Sequence, residues 1–460
     1  MTAGKSPSPA SAAPDDELSA ESEAPISPER DLSHLPPLGR DPAFIGMTAT
    51  QFLGAFNDNL YKQLLLLIAL DYKKIRGFES DPYQFIAMLA FAIPFVMLSG
   101  FAGYLSDKVR KRNVIVVCKT LEIVVMICAT IAFTTGTIGS TALIVWLFVV
   151  LFFMGAQSAL FGPSKFGILP EMLRDSDLPR ANGIIQMTTF LAIIFGTALS
   201  GFLKQAMPNH LWVICVICIG IAILGTLTSL LIRVTPIANP GMKFSRDCLL
   251  IERSTREFIW RDHALLGTMM IYALFWFAGA VFMPTVNAVC KDQLEFPEQW
   301  SGLLLGVLSI GIAIGCVTCG KLSRDQVRFD LMRFAGWGLF VATALTSIAC
   351  VLPLNNAGQH CILIGAALFV VGLFAGVFAV PPQVFIQSRP PETSKGRVIG
   401  AMNLFTWSGI TAAAGYYYAF TLGLSLVGAV YSWTFLSIGV MFVVAVMLFK
   451  QPNAQLSHVK

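Results

Sequence analysis

The sequence predicts an all-α membrane protein: twelve transmembrane helices in two pseudo-symmetric six-helix bundles. Three observations carry this: the composition, the spacing of the apolar runs, and a repeat between the halves. Of 460 residues, 55% are hydrophobic and 13% charged, and the mean hydropathy is +0.69. Soluble domains average about 25% charged residues. The net charge of +5 reads as loop bias, with no nucleic-acid partner implied.

The elements follow in order. Residues 1–42 are rich in Pro, Ser, Ala and acid and lack the apolar core of a signal peptide. They bury too little apolar surface to repay ordering, so a disordered tail is expected. A hydrocarbon core about 30 Å thick takes about 20 apolar residues in a helix. Qualifying runs start near 43, 84, 113, 141, 181, 210, 263, 300, 331, 360, 398 and 427. The first six make an N-terminal bundle, 43–232, and the last six a C-terminal bundle, 263–450. The polar stretch 233–262 joins them, and its "FSRDCLLIERSTREFIW" reads as an amphipathic surface helix; 451–460 is a second tail.

Basic residues set the orientation. Lys108, Arg110, Lys111 and Arg112 follow the second run, Lys165, Arg174 and Arg180 the fourth, and Arg233, Lys243, Arg246, Arg253, Arg256 and Arg261 the sixth. Arg324, Arg328 and Arg333 follow the eighth, and Arg389, Lys395 and Arg397 the tenth. The opposite loops hold only Lys73, Lys74, Arg76, Lys204 and Lys291. Positive charge concentrates on the cytoplasmic side, so both termini are expected there. "GYLSDKVR" (103–110) and "GKLSRDQVR" (320–328) follow corresponding runs, as "FMGA" (153–156) and "FAGV" (374–377) lie within corresponding runs. The offsets, 217 and 221, nearly agree. Parallel halves of this kind build transporters with a site between them near the midplane.

Several polar groups fall where lipid is expected. In "TQFLGAFNDNLYKQLLLLIALDY" (50–72), Asp58 lies about 15 residues into the first run, about 22 Å at 1.5 Å per residue. A mid-membrane charge costs about 2.5–3.5 kcal/mol on insertion scales and marks function by default. Gln51, Ala55, Asp58 and Lys62 share a helix face expected to look into a cavity, with Asn57 and Asn59 flanking the acid. The plainer alternative is a structural Asp58–Lys62 pair in the favourable i, i+4 order. Lys119 and Glu122 stand at i, i+3 in the third run; Lys119 either snorkels to the surface or contacts a phosphate while Glu122 holds it. Lys165 follows a Gly-Pro break, as a positive-inside residue or part of an anion site. Asn182 and Gln186 open the fifth run, and Asn403 occupies the related place in the eleventh.

Other features have plainer readings. Cys215/Cys218 and Cys316/Cys319 have C-x-x-C spacing without nearby histidines, which favours buried thiols over a metal site. Gly302/Gly306 and Gly311/Gly315 read as helix-packing ridges. No cofactor, metal, nucleophile or acid–base set converges at one depth, so an enzyme is not expected.

"GYLSDKVRKRN" resembles the loop signature of the major facilitator superfamily: Gly103, Asp107, Lys108, Lys111 and Arg112 fit, while Arg110 replaces a Gly. Gly103 lets helices approach, and Asp107 is suited to a helix N-terminus or a cation, so the motif reads as a conformational latch. The alternative is a solvated basic loop. "QFLGAFNDNLYK", "FGPSKFGILPEML", "NGIIQMTTFLAIIFGTALSG" and "GVFAVPPQVFIQSRPPETSKGRVIGAMN" resemble the lysophospholipid transporter family over roughly 43–450, most closely the branch fused to a 2-acyl-glycerophosphoethanolamine acyltransferase. The resemblance implies inward movement of lysophospholipid across the bacterial cytoplasmic membrane for re-acylation. The chain ends at 460, so it also implies a separate acyltransferase as partner. By resemblance Lys165 contacts substrate. The Arg of the stand-alone transporters near Met283 is missing here. A headgroup would then sit with its ammonium at Asp58 and its phosphate at Lys119 or Lys165. Two other readings stay open: a proton-coupled carrier of another solute with Asp58 as proton carrier, and a membrane receptor or anchor displaying the tail or linker.

Overall fold

A computed structural model describes residues 35–76, 83–137, 139–296, 298–323, 326–354 and 356–449. The expected tails, up to 34 and from 451, lie outside the described residues. Each of the twelve apolar runs is a helix. The first half has α1 (Pro42–Arg76), α2 (Tyr83–Lys108), α3 (Lys111–Thr135), α4 (Thr141–Gly167), the short α5 (Leu169–Met172), α6 (Leu178–Ala206) and α7 (Leu211–Ser229). After the short α8 (Arg253–Arg261) come α9 (His263–Ala288), α10 (Glu298–Leu322), α11 (Phe329–Ala349), α12 (Ala357–Ser388), α13 (Lys395–Leu426) and α14 (Trp433–Leu448).

Among the described residues, nine helices are long and apolar enough to cross a membrane. The apolar α14 has 16 residues, while α1 and α13 have 35 and 32 and carry more polar side chains. The last helix starts at Trp433, not near 427, because Gly428 turns to a φ of +67° and ends α13. Among the described residues side chains cap four helix starts: Asp41 on α1, Ser140 on α4, Asp262 on α9 and Asn356 on α12 each accept from first-turn N–H groups.

The repeat shows in the packing. In the first half α2 packs on α4, α1 on α6 and α3 on α7. Their counterparts pack the same way: α10 on α12, α9 on α13, α11 on α14. The halves meet through α2 with α13 and α6 with α10, a pair of contacts that the repeat also relates. One apolar core lies wholly in the first half, between Leu60 and Cys218; the other joins both halves.

Two expectations change. The tail reading fails from Leu38 onward: Leu38 is buried, and Asp41 caps α1 and pairs with Arg233 at 3.1 Å. An apolar anchor and an ion pair fix residues whose composition alone suggested disorder. The linker helix is shorter than its quoted segment. A 3-10 turn, Arg246–Leu249, precedes α8, which buries Thr255 and Ile259 on one face and exposes Trp260.

Candidate functional site

The polar residues of α1 diverge. Asn57 is fully buried and its Nδ2 donates to Glu122 Oε1 at 2.7 Å and to the Cys218 carbonyl at 3.3 Å. Glu122 Oε2 takes the Lys119 ammonium at 2.6 Å, with both side chains at most 3% exposed. Lys119 also stands 5.0 Å from the centre of the Phe161 ring. Snorkelling is therefore not how Lys119 is accommodated. Its place is made by Gly54: a Cβ there would lie 2.1 Å from Lys119 Nζ.

Asp58 faces α4. Its Oδ2 accepts from Ser158 Oγ at 2.8 Å, and Ser158 accepts from Gln157 Nε2 at 2.8 Å. The alternative Asp58–Lys62 pair is not closed; Lys62 Nζ instead lies 5.7 Å from the centre of the Phe91 ring. Lys165 sits 4.7 Å from the Phe166 ring centre. Asp58 remains within Coulomb range of Glu122, Lys119 and Lys62, and Lys165 within range of Lys119 and Asp58. These five charges form one cluster on α1, α3 and α4, with Asn57 bonded into it.

The other expected residues lie apart. Gln51 does not look into open space: it is buried against α6, donating to Thr188 at 2.5 Å and accepting from Thr189 at 3.0 Å. A helix face about 100° wide meets more than one neighbour, so sharing a face with Asp58 did not give it the same surroundings. Asn59 donates to Ala55 of its own helix at 2.7 Å. Asn182 and Gln387 exchange two amide hydrogen bonds, at 2.8 and 3.0 Å, across the halves. Gln186 donates to the Tyr272 hydroxyl at 3.3 Å. Asn403 is buried where α4 has Gly162, whose Cβ would meet its amide nitrogen at 2.5 Å.

Of the residues expected to form a latch, Gly103 and Asp107 reach the other half. A Cβ on Gly103 would lie 2.9 Å from Arg397 Cα. Asp107 accepts from Gly396 N at 2.7 Å and from Arg397 N and Nε, each at 3.1 Å. Lys108 and Arg112 bind the chain leading into and along the linker instead, donating to the carbonyls of Pro240 and Leu230 at 2.6 and 2.7 Å. Lys111 pairs with Glu171 at 2.5 Å, fully inside the first half.

Gly54, Gln157, Ser158, Phe161, Glu252 and Gln387 complete these contacts without standing out in the sequence as candidates. Gln157-Ser158 was findable as a polar pair in an apolar run. Gly54 and Gln387 act through partners distant in sequence, which spacing along one chain does not reveal.

The chain is 24% identical over 370 residues to the "Lysophospholipid transporter LplT" of Serratia proteamaculans (strain 568), covering 79% of this chain and 84% of that protein. It is 26% identical over 363 residues to the protein of the same name from Pectobacterium carotovorum subsp. carotovorum (strain PC1), covering 77% and 80%. Among solved structures, the human organic anion transporter MFSD10 (TETRAN) superposes with a TM-score of 0.68 at 15% identity, covering 90% of this chain and 100% of that one. The transporter FucP in its outward conformation gives 0.65 at 14% identity, covering 89% and 99%. The family model of the Major Facilitator Superfamily matches residues 47–415. With its twelve helices paired as two repeats, the chain is a multi-pass membrane transporter, not an enzyme, and belongs to the Major Facilitator Superfamily.

Proposed function

We propose that the protein moves lysophospholipid, of the lysophosphatidylethanolamine type, across the bacterial cytoplasmic membrane by alternating access. Both termini face the cytoplasm, and a separate acyltransferase consumes the delivered lipid. The bacterial relatives named as lysophospholipid transporters support this reading. The observation that carries it is a cluster of both charge signs, Asp58 and Glu122 against Lys62, Lys119 and Lys165, with Lys119 and Glu122 buried and the other three half-buried. Glu122 neutralises Lys119. Asp58 enters none of the ion pairs among the described residues, and its Oδ1 is buried without a protein partner. A zwitterionic headgroup complements that set, ammonium to Asp58 and phosphate to Lys165 or Lys119.

The Asp107–Arg397 and Asn182–Gln387 contacts join the halves at the end that carries the basic loops. We read this as a latch holding the cytoplasmic side shut. Reconstituted protein should carry labelled lysophosphatidylethanolamine across liposomes faster than empty liposomes do; equal rates would reject the function.

One observation favours a second reading. A half-buried acid without an ion-pair partner, such as Asp58, also suits a proton carrier for another solute. Asp58→Asn separates the two. A proton-coupled carrier keeps exchange but loses drive from a pH gradient; a headgroup clamp loses binding with or without a gradient.

A further inference from the structure

The polar run on α4 has a direction. Ser158 has one hydroxyl proton, and it goes to Asp58 Oδ2, since an ionised carboxylate only accepts. Ser158 must then receive its second bond as an acceptor, and Gln157 supplies it through Nε2. That order fixes the amide, because Gln157 cannot turn its oxygen to Ser158 without placing two acceptors face to face. Gln157 Oε1 is therefore directed elsewhere. It is buried, as is Asp58 Oδ1, and neither has a hydrogen-bond partner within the protein. Gln157 as a whole is 3% exposed.

Two acceptors from side chains that both bond Ser158 thus stand without a donor. The nearby cations are engaged elsewhere: Lys119 with Glu122, Lys62 over Phe91 and Lys165 over Phe166. What these acceptors lack is N–H.

We propose that Gln157 Oε1 and Asp58 Oδ1 together receive the N–H groups of a primary ammonium headgroup, which makes Gln157 a specificity-determining residue. This rests on the lysophospholipid reading above. A primary ammonium has three N–H donors, enough for both acceptors, and a charge opposite to that of Asp58. A trimethylammonium group carries the charge but offers no N–H, so Gln157 Oε1 stays unpaired beneath it. A glycerol head has hydroxyl donors but no charge for Asp58. Discrimination by a buried acceptor left unpaired is stronger than discrimination by size. Ser158 is the positioning residue, since its hydroxyl sets which face Gln157 turns outward.

The test uses proteoliposomes of the full chain and three lysolipids with the same acyl chain, bearing ethanolamine, choline or glycerol heads. The wild type should favour ethanolamine over choline by about tenfold or more, the scale of one charge-assisted hydrogen bond. Gln157→Met, similar in volume but without the acceptor, should lower the ethanolamine-to-choline rate ratio about tenfold. Ser158→Ala, which frees the amide to turn, should narrow the same ratio by a smaller factor. If both variants slow all three lipids in proportion, the residues are structural and the proposal is overturned. A wild type that moves ethanolamine and choline lipids equally also overturns it, while leaving the lysophospholipid reading intact. A wild type that moves none of the three sinks that reading, and this assignment with it.

Discussion

Asp107, at the end of α2, accepts from both the backbone N–H and the Nε of Arg397 at 3.1 Å, 290 positions away at the start of α13. Arg397 also binds Glu252 in the linker, so one guanidinium ties together the two halves and the segment joining them. Asp107 is fully buried. Removing it strands the Gly396 N–H and leaves the Arg397 guanidinium with Glu252 as its remaining carboxylate, so the cost is at most about 3–5 kcal/mol, that of breaking a buried pair. In Asp107→Ala this cost falls on the closed arrangement alone, so the protein should shift toward opening at this end. Spin labels at the exposed Arg110 and Thr393 should report longer distances than in the parent protein. An unchanged distance distribution would refute the latch.

Glu252→Gln gives a graded version of the same test. Its contact with Arg397 is more exposed than that of Asp107. Partly exposed pairs contribute less, about 0.2–1 kcal/mol at the surface. The substitution should lengthen the same distances by a smaller fraction, and Glu252→Gln added to Asp107→Ala should change little further. Full additivity of the two would show that Arg397 does not couple them.

The buried Lys119–Glu122 pair makes a separate prediction. Glu122→Gln leaves an unneutralised ammonium, and Asn57 keeps only a weaker acceptor. Stability should fall by about 3–5 kcal/mol, read as lowered melting in detergent. Removing both charges in Lys119→Met/Glu122→Leu should recover most of that loss, since apolar replacement of a buried pair is often neutral. Transport should stay low in the double variant if Lys119 meets the phosphate. A fully active double variant would make the pair purely structural.

Much of this was legible in the sequence for a physical reason. A bilayer admits few solutions, so apolar run length gave the helices, and the repeated motifs gave the pairing of halves. Asp58, Lys119 and Glu122 stood out because charge in an apolar run is costly. Partner choice was not legible. Asp58 and Lys62 stand at ideal helical spacing, yet Ser158 and Phe91 take them, because the neighbouring helices supply better contacts than the helix's own next turn. Gln51 was misplaced for the same reason: its partners Thr188 and Thr189 lie more than 130 positions away.

Gly54 tests how narrowly Lys119 is held. A Cβ at Gly54 would overlap Lys119 Nζ at 2.1 Å and crowd Cε at 3.2 Å. The obstacle is the flexible end of a side chain, so the helix survives and the ammonium moves. Gly54→Ala should leave melting nearly unchanged, since Ala favours helix over Gly by about 0.5–1 kcal/mol and offsets part of the crowding. Transport should drop several-fold as Lys119 leaves Phe161 and Glu122. Equal losses of stability and transport would contradict this.

The glycines of α10 separate two roles that their spacing does not distinguish. Gly311 and Gly315 press against α12, where a Cβ would lie 2.4 Å from the Phe369 carbonyl oxygen and 2.1 Å from that of Leu373. Gly302 and Gly306 have nothing within 4 Å of an added Cβ. Both pairs were expected to form packing ridges, and only Gly311/Gly315 does. The obstacle at Gly311 and Gly315 is backbone, which cannot rotate aside. Gly315→Ala should therefore force α10 from α12 and lower stability by about 1–3 kcal/mol, the range for overpacking. Gly306→Ala should be neutral or stabilising by up to about 1 kcal/mol through helix propensity. Thermal melting of the two variants in one detergent decides the matter: similar shifts would mean that α10 and α12 are not in backbone contact.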